Sequence, residues 1–247
     1  MIPLEDAEGP FFEPREKAFP DAPAELWAEA DRRDPGAVRD GGWLLRFRCF
    51  ALRPADGPVI LVDAGIGAAA SPARAWAPVP GRLPESLAAA GISPGDVDTV
   101  ELTHLHTDHI GWSLGEDGAP FFPNARYVVQ RADIEWVVPA TLDWLRPGLG
   151  AQLSLVEGDV DLRPGVRLLH TPGHTPGHQC VLVDDQFLVT GDLLVHMLQL
   201  IDPTQSYGHE VDPGAARASR TGLLEKLGRV TLATSHLGTP FTTVPLE

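Results

Sequence analysis

Between Thr103 and Gly111 the chain reads THLHTDHIG, which places His104, His106, Asp108 and His109 within six positions. Side chains of this kind do little for an apolar core. They are the nitrogen and oxygen donors that a borderline-soft divalent metal prefers. Residues 98–102, just before them, read as a strand. As the chain leaves that strand, His104 and His106 alternate with Leu105 and point the same way, so the two imidazoles can grip one metal. Asp108 and His109 follow a turn at Thr107 and face a second position. The pattern therefore calls for a layered α/β chain with a metal site on loops at a sheet edge.

The other histidines also gather in short motifs. His170, His174 and His178 punctuate HTPGHTPGH, His196 follows Asp192 in TGDLLVH, His209 lies in YGHE, and His236 lies in ATSHLG. Strands are expected at 43–52, 59–63, 98–102, 125–130, 166–170, 179–183, 186–190 and 230–234, with a PADG turn between the first two. Helices are expected at 24–33, 83–90, 132–138 and 215–227. VILVD ends at Asp63 before the glycine turn AGIG, and no GxGxxG or Walker pattern follows. No cysteine lies beside a histidine, and a serine or cysteine nucleophile is not expected. Cys49 and Cys180 sit in apolar runs and read as strand packing.

Charge narrows the partners. Lys and Arg number 19 against 34 Asp and Glu, a net charge of −15, which repels polyanions and argues against nucleic acid. No apolar run approaches the ~18 residues of a membrane span, and the N-terminus lacks a basic start and an apolar segment, so a cytoplasmic chain without membrane contact is expected. Residues 1–40 are broken by Pro3, Pro10, Pro14, Pro20, Pro23 and Pro35. They read as an N-terminal arm packed on the body, with a pocket flap or a homodimer contact as its functional alternatives. Residues 41–247 read as a single domain.

THLHTDHIG, TPGHTPGH, TGD and the late SH together resemble the metallo-β-lactamase superfamily of metal-dependent hydrolases, and VILVDAG is similar to that family's strand and turn. The resemblance implies an αββα sandwich, with two mixed sheets face to face and helices outside. It implies that His104, His106 and His174 hold one metal, that Asp108, His109 and His236 hold a second, and that Asp192 bridges them. Asp63 corresponds to the structural aspartate that orients the HxHxDH loop. His178 resembles a residue behind the ligands, and His170 a structural one. His196 is either a core residue or a pocket wall or proton relay. Two Zn²⁺ are implied, with Mn, Co or Fe as substitutes.

Such a metal pair lowers the pKa of a bridging water toward ~7 and polarises a substrate oxygen, so a bridging hydroxide is the expected nucleophile. Asp108 or Asp192 is the expected proton donor to the leaving group. The eleven residues after His236 are not expected to hold a glyoxalase II-like helical domain, and the 43 residues between Asp192 and His236 are not expected to hold a large insertion of the nucleic-acid-processing kind. The lactonase and methyl-parathion-hydrolase-like branches are the most similar. The lactonases place a tyrosine three residues after the bridging aspartate, where this chain has Val195. The Asp212, Pro213, Ala216, Arg220 pattern is closer to the second branch. The expected reaction is cleavage of an uncharged ester or lactone, a small molecule. A phosphotriesterase and an iron-dependent oxidoreductase of the same superfold are the alternatives. Trp112, three residues beyond His109, is expected near the metals. Trp76, Phe121, Phe122, Trp136, Trp144 and Met197 are further wall candidates.

Overall fold

The computed structural model describes residues 1–54 and 57–246, so the middle of the PADG turn and residue 247 lie outside it. In chain order the elements are β1 (Ile2–Pro10), α1 (Arg15–Ala18), α2 (Ala24–Arg33), β2 (Val38–Arg39), β3 (Gly42–Leu52), β4 (Val59–Val62), α3 (Leu83–Ala89), β5 (Val97–Glu101), α4 (Thr107–Ile110), β6 (Arg126–Gln130), α5 (Arg131–Trp136) and α6 (Pro139–Leu149). There follow β7 (Leu153–Val156), β8 (Val160–Arg163), β9 (Val166–His170), β10 (Gln179–Val183), β11 (Phe187–Val189), α7 (Leu198–Ile201), α8 (Pro213–Leu227), β12 (Val230–Ala233) and β13 (Phe241–Val244). The chain divides into two compact units, residues 1–7 with 47–157 and residues 8–46 with 158–247, the division falling inside β1 and β3.

The first unit is built on the sheet path β1-β3-β4-β5-β6-β7. β3 and β4 pair antiparallel, whereas the pairs β4–β5, β5–β6 and β6–β7 are parallel. All four residues of β4 are buried, as expected of an inner strand covered on both faces. Its core gathers Leu61, Val100, Leu102, Leu105, Ile110, Phe122 and Tyr127 with the inner faces of α3 and α6. Because β4 and β5 are parallel neighbours, Asp63 and the Thr103–His109 segment leave the same edge of the sheet.

β1 and α6 were not expected from the sequence. β1 lies at the end of the sheet path, where a proline such as Pro3 is tolerated, and it points the buried Asp6 inward, so its apolar alternation is broken. The Asp6 carboxylate accepts from Ile66 N at 2.6 Å, Leu83 N at 2.7 Å and Trp112 Nε1 at 3.0 Å. Burial raises its pKa although these donors oppose the rise. α6 carries Pro147 inside it, a residue that reads as a helix terminator.

The second unit holds the sheet β13-β12-β11-β10-β9-β8. Only β11 and β12 are parallel; the other neighbours are antiparallel. β9, β11 and β12 therefore run in one direction, and their C-terminal ends, which lead to His174, Asp192 and His236, share one edge. α8 starts on Pro213 with the Asp212 side chain accepting from Ala215 N at 2.9 Å, a cap of the kind that contributes ~1 kcal/mol, and stops at Gly228. Aromatic rings from before β2 meet this unit, with Phe19 5.3 Å from Tyr207 and Trp27 5.2 Å from His196 between centroids. Cys49 and Cys180 are buried in β3 and β10, and burial pushes the Cys49 thiol up. No helix among the described residues is long and apolar enough to cross a membrane.

Candidate metal centre

In the first unit Asp63 organises the loop that follows β5. It sits at φ +60°, a left-handed position that aspartate tolerates better than most residues. Its Oδ1 accepts from Thr103 N at 2.9 Å, and its Oδ2 accepts from His109 Nδ1 at 2.8 Å. The Thr103 hydroxyl donates to the same carboxylate at 3.0 Å, and His104 Nδ1 lies 3.0 Å from that hydroxyl. A hydroxyl has one proton to give, so with Asp63 taking it the His104 ring donates from Nδ1. Both His104 and His109 are thereby fixed with Nε2 as the lone-pair nitrogen, the tautomer a metal ligand needs.

His104 Nε2 comes within 3.0 Å of His106 Nδ1, so the two imidazoles converge as the strand alternation requires. His106 ends the extended segment at ψ 151°, and the short helix α4 then presents Asp108 and His109, whose Oδ2 and Nε2 are 3.5 Å apart. His104 and His106 belong to one set of converging donor atoms that could hold an ion, and Asp108 and His109 to another. The loop is laced down by its backbone. Ala64 N donates to His109 O, Gly111 N to Gly65 O and Trp112 N to Ala64 O, each at 2.7 Å. A Cβ on Gly111 would stand 2.1 Å from the carbonyl carbon of Ile66, so only glycine permits this approach. Asp133 Oδ2 accepts from Leu105 N at 2.9 Å and fixes the residue between the two histidines.

In the second unit Asp192 turns its two carboxylate oxygens to different imidazoles. Oδ2 lies 3.2 Å from His174 Nε2, and Oδ1 lies 3.0 Å from His236 Nε2. His236 donates from Nδ1 to the Arg46 carbonyl at 2.6 Å, which leaves its Nε2 as the ligand atom. Gly173, at φ +138°, lets the TPGH loop press on α8, since a Cβ there would meet Ala216 N at 2.0 Å. His174 and Asp192 are buried, and the chemistry of the set, two imidazoles about one carboxylate, fits a divalent cation.

His178 is occupied at both ring nitrogens. Nε2 accepts from Asp192 N at 3.0 Å, and Nδ1 meets Thr171 Oγ1 at 2.8 Å and Thr171 O at 3.2 Å. His170 donates to Pro176 O at 3.0 Å. His196 accepts from Leu198 N at 3.2 Å inside a box of Phe19, Trp27 and Trp43. Burial, with Arg15 adding to it, lowers its pKa from 6.5 to about 3.

The wall candidates scatter. Trp112 and Phe122 belong to the core of the first unit, with the Trp112 indole bonded to Asp6. Phe121 and Trp144 pack against that core, and Met197 is buried. Trp76 donates to Thr107 Oγ1 at 3.0 Å, and Trp136 lies 5.8 Å from the His106 ring, so these two do stand beside the motif. Thr103, Thr171, Asp133 and the Arg46 carbonyl were not singled out by the sequence reading. Only Thr103 carried a signal, by adjoining the motif.

The metallo-beta-lactamase superfamily model matches residues 48–236, and the chain belongs to that superfamily. An N-acyl homoserine lactonase from Bacillus sp is 37% identical over 107 residues, covering 42% of this chain and 40% of the relative. N-acyl homoserine lactonase AttM from Agrobacterium fabrum (strain C58 / ATCC 33970) is 37% identical over 118 residues, 40% of each chain. The matched stretch thus spans about 40% of these relatives' length. Among solved structures, AidC, a dizinc quorum-quenching lactonase in complex with a product, aligns with a TM-score of 0.80 at 20% identity, over 99% of this chain and 93% of its own. Hydrolase AbOPH in the beta lactamase superfamily aligns at 0.78 and 22% identity with the same coverage. The fold is shared with both.

Proposed function

We propose that the chain is a dinuclear metal-dependent hydrolase of uncharged lactones or esters. His104, His106 and His174 hold one ion, Asp108, His109 and His236 the other, and Asp192 serves both. The observation that carries this reading is the Asp192 carboxylate, whose oxygens face the Nε2 atoms of two different histidines. Zinc suits the donors, and one relative in fold is named a dizinc lactonase.

Two divalent ions bound there would supply a water acidic enough to ionise near neutral pH and a Lewis acid for a carbonyl oxygen. The protein's own groups do the rest. Asp63, directly and through Thr103, keeps the protons of His109 and His104 on Nδ1. His178 holds the Asp192 backbone. Asp108 or Asp192 carries a proton to the leaving oxygen. The substrate class rests on three supports: relatives named N-acyl homoserine lactonase, a net charge of −15, and metal motifs without Lys or Arg to clamp an anion. Val195, buried and aliphatic, supplies no phenol to the reaction.

Elemental analysis together with kcat/KM for γ-lactones, neutral aryl esters, β-lactams and anionic thioesters tests the proposal. About two metals per chain and a preference for neutral lactones or esters are expected. One metal in a fully active sample overturns the dinuclear centre. A clear preference for a β-lactam or an anionic thioester overturns the substrate class.

A further inference from the structure

Arg220 leads the fully buried side chains in size, and its partner Glu210 is as hidden: their side chains are 0% and 1% exposed. A buried ion pair adds little to stability beyond what apolar residues of the same size would give. Its directions are what distinguish it. Arg220 Nη1 donates to Glu210 Oε1 at 2.9 Å and to Leu193 O at 3.0 Å, the residue after Asp192. Nε donates to Pro203 O at 2.9 Å and Nη2 to Gln205 O at 2.7 Å. One guanidinium therefore fixes the chain that leaves Asp192 and the loop that follows it.

Glu210 extends the brace to His174. Its Oε2 accepts from Tyr207 N at 3.1 Å, and the Tyr207 ring lies parallel to His174, with planes 10° apart and centroids 6.1 Å apart. The next two residues bond to the ligand's own backbone: Val211 N donates to His174 O at 3.2 Å and Asp212 N to Gly173 O at 2.9 Å. Gln199 closes the network, accepting from Val195 N at 2.8 Å and donating to Glu210 Oε1 at 3.3 Å.

We propose that Arg220 and Glu210 are positioning residues whose ion pair sets the separation of His174 and Asp192, and through it the retention of metal. The inference rests on the reading of those two residues as ligands. A lysine cannot replace the arginine, because one ammonium on a flexible stem does not reproduce four fixed donor directions.

Full-length Arg220→Lys, Arg220→Met and the double variant Arg220→Met/Glu210→Met test it. Melting is followed in excess chelator, so that bound metal does not enter. Metal affinity is measured separately by competition with a chromophoric chelator. Arg220→Met melts lower, since it leaves Glu210 buried alone, and the double variant recovers most of that loss. All three hold metal ~10–100-fold more weakly than wild type, the recovered double variant included. Metal affinity within about threefold of wild type in the double variant overturns the brace, as does an affinity that rises and falls with melting temperature across the series. A wild-type protein that takes up no zinc overturns the ligand reading itself, independently of how the variants compare.

Discussion

His178 Nε2 accepts a hydrogen bond from the backbone amide of Asp192 at 3.0 Å, so the imidazole holds the carboxylate's main chain and leaves its oxygens to other partners. The proton on Nδ1 is turned toward Thr171. His178→Ala leaves that amide without its acceptor and lets the Asp192 turn drift. Activity is expected to fall ~10–100-fold with metal still bound, and His178→Gln, which restores an acceptor, is expected to recover part of the loss. Elemental analysis beside the rates checks this. A His178→Ala protein stripped of one metal would mean that His178, not His174, is the ligand in HTPGHTPGH.

The two oxygens of Asp192 predict an asymmetry between ligand variants. Asp192→Ala removes a partner of both His174 and His236. It is expected to lower the content of both metals, whereas His236→Ala empties mainly one. Chelators abolish activity, and Zn²⁺, Mn²⁺ or Co²⁺ restores it. Equal stoichiometry in the two variants contradicts the sharing.

His196 gives the pH dependence. Its pKa falls from 6.5 to about 3 in the fold, because burial disfavours the cation. Below pH 6.5 the unfolded chain takes up a proton that the folded chain refuses. The stability is therefore complete above 6.5 and drains away as pH drops toward 3. At pH 5 the loss is about 2 kcal/mol, or about 4–8 °C in melting temperature for a chain of this size. His196→Phe removes the titration while filling the box of Phe19, Trp27 and Trp43. Melting in excess chelator at pH 7.5 and 5.0 is expected to show the smaller drop in the variant. Equal drops refute the assignment.

How much of this was legible depended on distance along the chain. HLHTDH could be read because its geometry is local: one strand end, one turn and a four-residue helix. α2 was legible to the residue, since prolines delimit it. The relay from Asp63 was legible as a role, but its course through Thr103 was not, since it depends on β4 lying parallel beside β5 across 40 positions. Asp133 reaches back 28 residues to Leu105, and no pattern in the sequence marks such a pairing. Arg220 stood out only as part of a motif, and its buried pairing with Glu210 depends on the fold of the whole loop. Spacing after His109 pointed Trp112 at the metals, whereas Asp6, 106 residues away, draws its indole into the core.

Asp63→Asn tests the tautomer argument with little disturbance elsewhere. Asparagine tolerates the left-handed φ of +60° as aspartate does, so the turn after β4 is retained. What changes is the count of acceptors. The carboxylate accepts from Thr103 N and Oγ1 and from His109 Nδ1, whereas an amide offers one oxygen and an NH₂. With the oxygen kept by the Thr103 amide, the NH₂ faces His109 Nδ1. Two donors then meet, and the ring relieves the clash by moving its proton to Nε2, the atom that would bind metal. The variant is expected to fold with a melting temperature close to wild type in chelator, and to hold the ion assigned to Asp108, His109 and His236 ~10–100-fold more weakly. The ion assigned to His104, His106 and His174 is less affected, because His104 is reached only through the Thr103 hydroxyl. Stepwise zinc titration with a chromophoric competitor separates the two affinities. Both sites unchanged, or both lost together, would show that Asp63 does not select the His109 tautomer.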